Sequence, residues 1–197
     1  MFLSDKDIQK AIKAGDIVLD GFEPKRLQPA SYDIRLGNTF IVNQAHSTTA
    51  IDPGKGVYPK TTTIDIKDGE EFVLHPGVSI LGYSKERFGS QRYLIEVNGK
   101  SSLARIGLIV HNSASIVNPG HYLNIALELC NLNNVPIILR PGMEIAQLTF
   151  STISSDTKRS YEETGRYNSN NFLSYIPPKA KRPPKPKTPI TKKTKRS

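Results

Sequence analysis

The feature that most constrains the fold is a succession of short β-prone runs between positions 16 and 150, with no helical pattern alternating between them. Clusters of Gly, Pro, Asn and Asp separate these runs, as expected for strands joined by turns. The predicted strands cover residues 16–19, 38–43, 61–66, 70–83, 93–97, 107–110, 123–132, 135–142 and 144–150. This pattern predicts an all-β sandwich, jelly roll or distorted barrel. Pro-Gly pairs at 76–77, 119–120 and 141–142 predict type II turns.

One short helix is predicted ahead of the strands. Ser4 has the side chain of an N-cap, acidic residues follow it in the first turn, and apolar residues recur on one face. Gly15 is a typical stop signal for such a helix.

Length and composition predict a single cytoplasmic domain. A chain of 197 residues with 37% hydrophobic residues suffices for the core of one ordinary domain. No window approaches the roughly 18 apolar residues of a membrane span, and the N-terminus is charged too early for a secretory signal. The single Cys130 excludes an internal disulfide and the paired cysteines of a structural zinc site.

The net charge of +9 is concentrated at the C-terminus. Residues 175–197 contain nine Lys or Arg, six Pro and no acidic residue, so residues 1–174 carry 18 basic and 18 acidic side chains. We therefore expect a folded, nearly neutral domain at 1–174 and a disordered basic tail at 175–197. Such a tail serves either solubility or contact with a polyanion such as nucleic acid.

The segment "GKSSLAR" is a candidate anion site. Gly99 allows close approach to the backbone, turn amides can cradle a phosphate, and Arg105 offers a planar fork of donors. Ser101 and Arg105 are four residues apart, a spacing that puts them on one side of either a strand or a helical turn. The spacing of a Walker A loop is absent, so an ordinary polar turn stays an alternative.

A second candidate group lies in "LNIALELCN". Alternation puts Leu127 and Leu129 on one face of a strand, and Ala126, Glu128 and Cys130 on the other. A carboxylate between two small neighbours lies either on a solvated face or in a pocket, where burial turns it into a useful base.

Together these motifs resemble the dCTP deaminase family of the dUTPase-like superfamily. The resemblance extends over about residues 1–172 and is carried by "QPASYDIRLG", "GKSSLARIGLIVH", "SASIVNPG", "ALELCN", "RPGMEIAQLTF" and "YEETGRYNSNN". It implies a mainly β, dUTPase-like distorted jelly roll or β-barrel. It also implies a homotrimer with active sites between subunits, Mg²⁺ bound to the nucleotide triphosphate, and a C-terminal segment that closes over the nucleotide.

The resemblance implies catalytic roles for four residues. Glu128 would be the general base that takes a proton from the water attacking C4 of cytosine. Ser101 and the backbone carbonyl of Ala114 would hold that water, and Arg105 would stabilise charge at the reacting centre. The nucleotide contacts implied in the same way are Lys100, Ser101, Ser102, Leu103, Ala104, Arg105, Asn118, Ala126, Leu127, Glu128, Gln147, Tyr161, Arg166 and Asn170.

Three of these positions depart from the family. Arg166 and Asn170 stand where Lys and Gln are usual, so a charge is kept and one side chain is shortened by a methylene. Asn118 stands where Asp is usual, in "NPG" rather than "DPG", and "HYLN" replaces a glycine-containing stretch after it. Asn can bond a sugar hydroxyl or stabilise the turn, but its neutral amide is not a base at pH 7.

Three functions stay open on the sequence. The first is deamination of dCTP to dUTP and ammonia without zinc, because zinc deaminases need a Pro-Cys-x-x-Cys pair that one cysteine cannot provide. The second is dUTP diphosphatase activity, alone or combined with deamination. "GRYNSNNF" lacks the glycine-rich closing motif of ordinary dUTPases, and Asn118 predicts that dUTP accumulates rather than dUMP. The third is a non-catalytic nucleotide-sensing or nucleic-acid-associated protein.

Overall fold

The computed structural model describes residues 1–167, which form short strands and three short α-helices. The helices are α1 (Asp5–Ala14), α2 (Ser101–Ala104) and α3 (Tyr161–Thr164), and a 3-10 turn covers Pro24–Arg26. The strands are β1 (Ile17–Leu19), β2 (Leu27–Gln28), β3 (Ser31–Arg35), β4 (Thr39–Asn43), β5 (Thr61–Asp65), β6 (Phe72–Leu74), β7 (Ser79–Tyr83), β8 (Phe88–Ser90), β9 (Tyr93–Gly99), β10 (Leu108–Ile109), β11 (Ile116–Val117), β12 (His121–Leu123), β13 (Ala126–Asn131), β14 (Ile137–Leu139) and β15 (Glu144–Thr152). The predicted domain limit at 174 and the predicted basic tail lie outside the described residues.

The N-terminal helix forms as predicted. The Oγ of Ser4 accepts the backbone N–H of Asp7 at 3.4 Å, which satisfies one of the free amides of the first turn. At the other end Gly15 has φ 79° and donates its N–H to carbonyls of the last turn. The helix buries Ile8 and Ala11, which fixes it against the core.

Two five-stranded antiparallel sheets carry most of the strands. One has the order β11-β9-β15-β3-β2, and the other has the order β10-β13-β7-β4-β5. A three-stranded sheet β1-β8-β12 and a two-stranded sheet β14-β6 complete the described part of the chain. The long strand β15 pairs with β9 on one side and with β3 on the other, so it is the centre of its sheet.

Both large sheets contribute side chains to one hydrophobic core. Because successive side chains of a strand point to opposite faces, alternate residues of each strand enter this core. The fully buried side chains include Tyr32, Ile34, Ile95, Leu148 and Phe150 from the first sheet, and Phe40, Leu127 and Leu129 from the second. The mainly β architecture predicted from the sequence is therefore confirmed.

The closed barrel that was one alternative does not form within residues 1–167. The strands described there lie in four open sheets, each of which ends in two edge strands. Every predicted run contains a strand, but β2, β3, β8, β11 and β12 were not predicted. These strands are two to five residues long; β2, β3, β8 and β12 carry polar residues or glycine, and β11 is only two residues long, so all five lack the apolar alternation that signals a strand.

The three Pro-Gly turns have the backbone geometry expected of them. Gly77, Gly120 and Gly142 have φ values of 72°, 86° and 81°, the left-handed region that a type II turn requires. No helix among residues 1–167 is long and apolar enough to cross a membrane.

Candidate active site

Strand β13 places Glu128 on its face that points away from the core. Leu127 and Leu129 are fully buried, so the intervening Glu128 projects from the other face of the strand together with Ala126. The predicted alternation is confirmed. Glu128 is half-buried and lies beside a cavity instead of being fully solvated.

A cavity of about 450 Å³ lies against this face of β13. Its volume is in the range of small-molecule sites. Its wall contains Leu81, Ala114, Ile116, Val117, Asn118, His121, Asn124, Ile125, Ala126, Glu128, Tyr161 and Tyr167. Ala114, Asn118, Ala126, Glu128 and Tyr161, all predicted from the sequence, are thus brought together around one space.

The carboxylate of Glu128 is held by the segment after β10. The backbone N–H of Asn112 donates to Oε2 of Glu128 at 3.3 Å. The next residue, Ser113, has φ 66°, which is the left-handed region and is uncommon for a residue with a Cβ. Backbone strain of this kind is concentrated at functional sites. The strained residue, Ser113, lies between Asn112, which binds Glu128, and Ala114, which lines the cavity.

The turn that carries Asn118 supports the C-terminal helix. The backbone N–H of Tyr161 donates to the carbonyl oxygen of Pro119 at 2.9 Å. A Cβ at position 120 would lie 2.8 Å from Cβ of Ser160 and 2.9 Å from the backbone nitrogen of Tyr161. Two features therefore require glycine at position 120: the positive φ of the turn and the close approach of Ser160 and Tyr161.

His121 follows this turn and packs beneath Tyr161. Its side chain is buried, and its ring centroid is 4.9 Å from that of Tyr161 in an edge-on arrangement. Burial lowers the pKa of His121 to about 4, so the imidazole is neutral at pH 7. Its Nδ1 has no hydrogen-bond partner within the described chain.

Tyr167 closes the cavity from the C-terminal side. Its backbone N–H donates to the hydroxyl of Tyr161 at 3.4 Å. Burial raises the pKa of the Tyr167 hydroxyl, and the neighbouring Tyr161 and Glu128 add to that rise. Tyr167 and Glu128 line the same cavity.

In the "GKSSLAR" segment Ser101–Ala104 form α2, with Lys100 and Arg105 as its caps, and the segment does not line this cavity. The side chains of Ser101, Ser102 and Arg105 are exposed on one helical turn, which resolves the alternative between strand and helix. Lys100 is not free, since its ammonium contacts Asp33 and Glu144. Within this set, Leu103 packs partly against the core and Ala104 is exposed.

The other predicted nucleotide contacts lie on strands β13 and β15 and in the C-terminal segment. The Leu127 side chain is in the core, away from the cavity. Gln147 donates to the carbonyl oxygen of Gly99 at 3.1 Å. Arg166 is exposed beside Tyr167, and Asn170 lies outside the described residues.

Seven of the twelve residues in the cavity wall were missed by sequence reasoning, and His121 and Tyr167 are the two of these with titratable side chains. His121 directly follows the Pro-Gly turn, and that position could have drawn attention to it. Tyr167 lies between two residues that had been singled out, Tyr161 and Asn170, but nothing in its local pattern distinguishes it. Within residues 1–167, no group of three His, Cys, Asp or Glu side chains could hold a metal ion.

The dCTP deaminase-like family model matches residues 2–153. The chain belongs to this family. A relative from Corynebacterium efficiens, named dCTP deaminase, dUMP-forming, is 41% identical over 162 residues, which cover 82% of this chain and 84% of the relative. A relative of the same name from Tropheryma whipplei (strain Twist) is 43% identical over 162 residues, covering 82% and 83%.

The fold also matches a solved structure of the same family. The 2'-deoxycytidine 5'-triphosphate deaminase from Agrobacterium tumefaciens aligns with a TM-score of 0.59 at 20% identity. The alignment covers 77% of this chain and 48% of that one, so this dCTP deaminase-like chain spans about half the length of the solved chain. At this identity the match concerns the fold.

Proposed function

We propose that this member of the dCTP deaminase-like family hydrolyses dCTP to dUTP and ammonia, with Glu128 as general base. The observation that carries the proposal is the position of Glu128 in the wall of the cavity, with one oxygen held by the backbone N–H of Asn112. The names of the relatives from Corynebacterium efficiens and Tropheryma whipplei support dCTP as the substrate.

In the proposed reaction, Glu128 takes a proton from a water molecule while the oxygen of that water attacks C4 of cytosine. The C4–O bond forms and the bond from C4 to the amino nitrogen breaks. The two hydrogens of the water end on ring N3 and on the departing ammonia. A positioned base contributes about 10²- to 10⁴-fold, so orientation of the water and stabilisation of charge supply the rest.

Ser101, Arg105 and the carbonyl of Ala114 are the proposed partners of Glu128 in this reaction. Ala114 lies in the cavity wall with Glu128, whereas Ser101 and Arg105 are exposed on α2 outside it. We propose that a second copy of the chain supplies α2 to the cavity, in a homotrimer with sites between subunits. The separation of the two groups within one chain supports this arrangement.

The proposed chemistry uses no zinc, because Cys130 is the chain's one cysteine and cannot complete a Pro-Cys-x-x-Cys pair. Mg²⁺ enters as part of the substrate, bound to the phosphates of dCTP. Magnesium sites of this kind draw most of their ligands from phosphate and water. The reaction belongs to pyrimidine deoxynucleotide metabolism, and we propose a cytoplasmic location for it.

Formation of dUMP is the second candidate, and the names of the relatives favour it. Hydrolysis of the phosphate chain also needs an activated water. The residue implied for that task is an aspartate, and this chain has Asn118 there. An amide cannot accept the proton at pH 7, so we favour dUTP as the product.

The test is to incubate the full chain with Mg²⁺ and dCTP, measure ammonia in a coupled assay and separate the products by chromatography. We expect ammonia and dUTP in equal amounts. dUMP and diphosphate as main products would support the bifunctional alternative. Nucleotide binding without ammonia release would support the non-catalytic sensing alternative.

A further inference from the structure

The connection between β7 and β8, residues 84–87, is bonded to the residue that precedes β13. Ser84, at the start of this connection, is fully buried. Its Oγ accepts the backbone N–H of Ile125 at 2.9 Å and donates to the carbonyl oxygen of Glu86 at 2.8 Å. The backbone N–H of Ser84 donates to the carbonyl oxygen of Ile125 at 2.9 Å. Ser84 therefore binds both main-chain polar groups of Ile125, one of them through its side chain.

Asn124 makes further bonds to the same connection. Its Nδ2 donates to the carbonyl oxygens of Ser84 at 2.7 Å and of Lys85 at 3.1 Å. Asn124 and Ile125 both line the cavity, just before Glu128 on the chain. The connection between β7 and β8 does not line the cavity itself. Its bonds therefore reach the cavity through Asn124 and Ile125.

A buried carboxylate anchors this connection to the first large sheet. The Glu86 side chain is 1% exposed. Its Oε1 lies 2.6 Å from Nη1 of Arg26 and 2.7 Å from Nε of Arg35, and its Oε2 accepts the backbone N–H of Arg35 at 2.8 Å. Arg35 ends β3, and its carbonyl oxygen accepts the N–H of Lys85 at 2.7 Å. Charge-assisted hydrogen bonds of this kind are short and strong. The connection is thus bound to one large sheet while it holds residues next to β13 of the other.

Removing either group would leave polar atoms without their partners. Without the Ser84 hydroxyl, the N–H of Ile125 loses its acceptor, and an unsatisfied donor away from water is costly. Without the Glu86 carboxylate, the Arg26 side chain, which is 3% exposed, loses its closest ionic partner. The chain would relieve both costs by moving the connection and residues 124–125, which changes the shape of the cavity.

We propose that Ser84 and Glu86 are positioning residues that set the cavity wall at Asn124 and Ile125. This inference rests on the proposed function, in which the cavity places cytosine beside Glu128. An error of about 1 Å in the placement of reacting groups costs about a hundredfold in rate. The proposed nucleotide contacts on α2 and in the C-terminal segment are not part of this wall. A displaced wall should therefore lower kcat more than it raises KM.

The main experiment compares Ser84→Thr with Ser84→Val in the full chain, using Mg²⁺ and dCTP. Thr and Val are both β-branched and nearly equal in size, but only Thr keeps the hydroxyl. We expect Ser84→Val to lower kcat by about ten- to a hundredfold and to raise KM by less than about threefold. Ser84→Thr should keep kcat within about threefold of the unmodified chain. Equal losses of kcat in the two variants, or no loss in Ser84→Val, would overturn the proposal.

Glu86→Gln tests the second positioning residue, with Glu71→Gln as its matched control. Glu71 forms an exposed ion pair with Arg140 at 2.7 Å, so Glu71→Gln should leave kcat unchanged. We expect Glu86→Gln to lower kcat by about tenfold or more. The double variant with Ser84→Val should lose less than the product of the two single losses, because both residues act through one connection. A loss equal to that product would contradict this shared route.

Arg35→Lys is a milder variant for use if Glu86→Gln does not fold. It keeps the positive charge but replaces the guanidinium, and the Arg35 side chain is 27% exposed. We expect kcat to fall by about two- to fivefold, and an unchanged kcat would contradict the role of Glu86.

Amide hydrogen exchange separates this inference from the proposed function. We expect faster exchange at residues 123–126 in Ser84→Val than in Ser84→Thr, with α1 unchanged in both. This readout needs no turnover, so it tests the positioning role even if the unmodified protein releases no ammonia from dCTP. Equal exchange at residues 123–126 in the two variants, or an equal rise throughout the chain, would contradict a local positioning role.

Discussion

The backbone N–H of Asn112, three residues beyond the end of β10, donates a hydrogen bond to Oε2 of Glu128 on β13 at 3.3 Å. A donor on one carboxylate oxygen orients the group. The residue that binds Glu128 is followed by Ser113, with its positive φ, and by Ala114 in the cavity wall. One short segment thus orients the proposed base and contributes to the surface that would face the attacking water.

Replacing Glu128 with Gln should abolish most deamination and leave nucleotide binding intact. Gln has nearly the same shape but cannot accept a proton, so we expect kcat to fall by about 10²- to 10⁴-fold. The dissociation constant of dCTP should change by less than about threefold, because contacts to the phosphates are kept. Glu71→Gln, on the exposed surface, is the control and should be fully active. Turnover near normal in Glu128→Gln would remove this residue from the mechanism.

The product of the reaction should depend on residue 118. We expect the unmodified chain to release dUTP, and Asn118→Asp to release a larger share of dUMP and diphosphate because a carboxylate can activate water. Chromatography of products from dCTP measures this share. Asn118→Ala is the matched control, since it removes the amide without adding a base and should not increase dUMP. A similar rise in both variants would contradict the argument.

Gly120→Ala should displace the C-terminal segment from the cavity. The added Cβ would meet Ser160 and the backbone of Tyr161, so we expect KM for dCTP to rise about tenfold with a smaller change in kcat. Gly142→Ala is a matched control because Gly142 also has positive φ, 81°, but a Cβ there meets nothing within 4 Å. Both variants should lose about 1–3 kcal/mol of stability to backbone strain. An equal rise in KM in the two variants would show that contact with Tyr161 is irrelevant.

Buried His121 should make the fold sensitive to mild acid. Its pKa is about 4 in the folded chain against an ordinary 6.5, so the unfolded chain binds more protons between these values. Stability should therefore fall as pH drops through that window, by on the order of 2 kcal/mol between pH 7 and pH 5. Urea unfolding measures the free energy of unfolding at each pH. In His121→Phe this free energy should no longer show the decrease that His121 causes between pH 7 and pH 5, whereas His75→Phe, at an exposed position, should still show it. If the free energy of unfolding depends on pH in the same way in His121→Phe and in the unmodified chain, this assignment is contradicted.

Deleting residues 175–197 should separate catalysis from attraction to polyanions. Nine positive charges without an acidic residue predict salt-dependent binding to single-stranded or duplex nucleic acid. We expect the shortened chain to keep its turnover of dCTP and to lose most of this binding. Loss of turnover at saturating dCTP would show that the deleted residues belong to the site.

Features set by neighbouring residues were predictable from the sequence. The caps of α1 and the alternation around Glu128 depend on contacts within a few positions, and both appear as expected. Strand β3 was not predicted because its local pattern contains Asp33 and Arg35, which argue against burial. Asp33 is nevertheless 3% exposed, since its charge is neutralised by Lys100, far along the chain.

The residues of the cavity wall also differ in whether the sequence could predict them. Ala126, Glu128 and Asn118 could be predicted from motifs that resemble a family, and they do line one space. His121 and Tyr167 meet there only because residues 160–167 pack back on the Pro-Gly turn. That contact depends on the close approach at Gly120, which no periodicity in the sequence encodes.

The pairing of β3 with β15 also sets the order in which this protein can mature. Ser31 and Gln147, which bond across these strands, are separated by 116 positions, so a very large loop must close before they meet. A nascent chain leaving the ribosome has α1, β3 and α2 long before it has Glu144 and Gln147. The first turn of α2 therefore acquires its full support only after residue 147 has emerged. Synthesis to that point therefore precedes the folding of a fully supported α2.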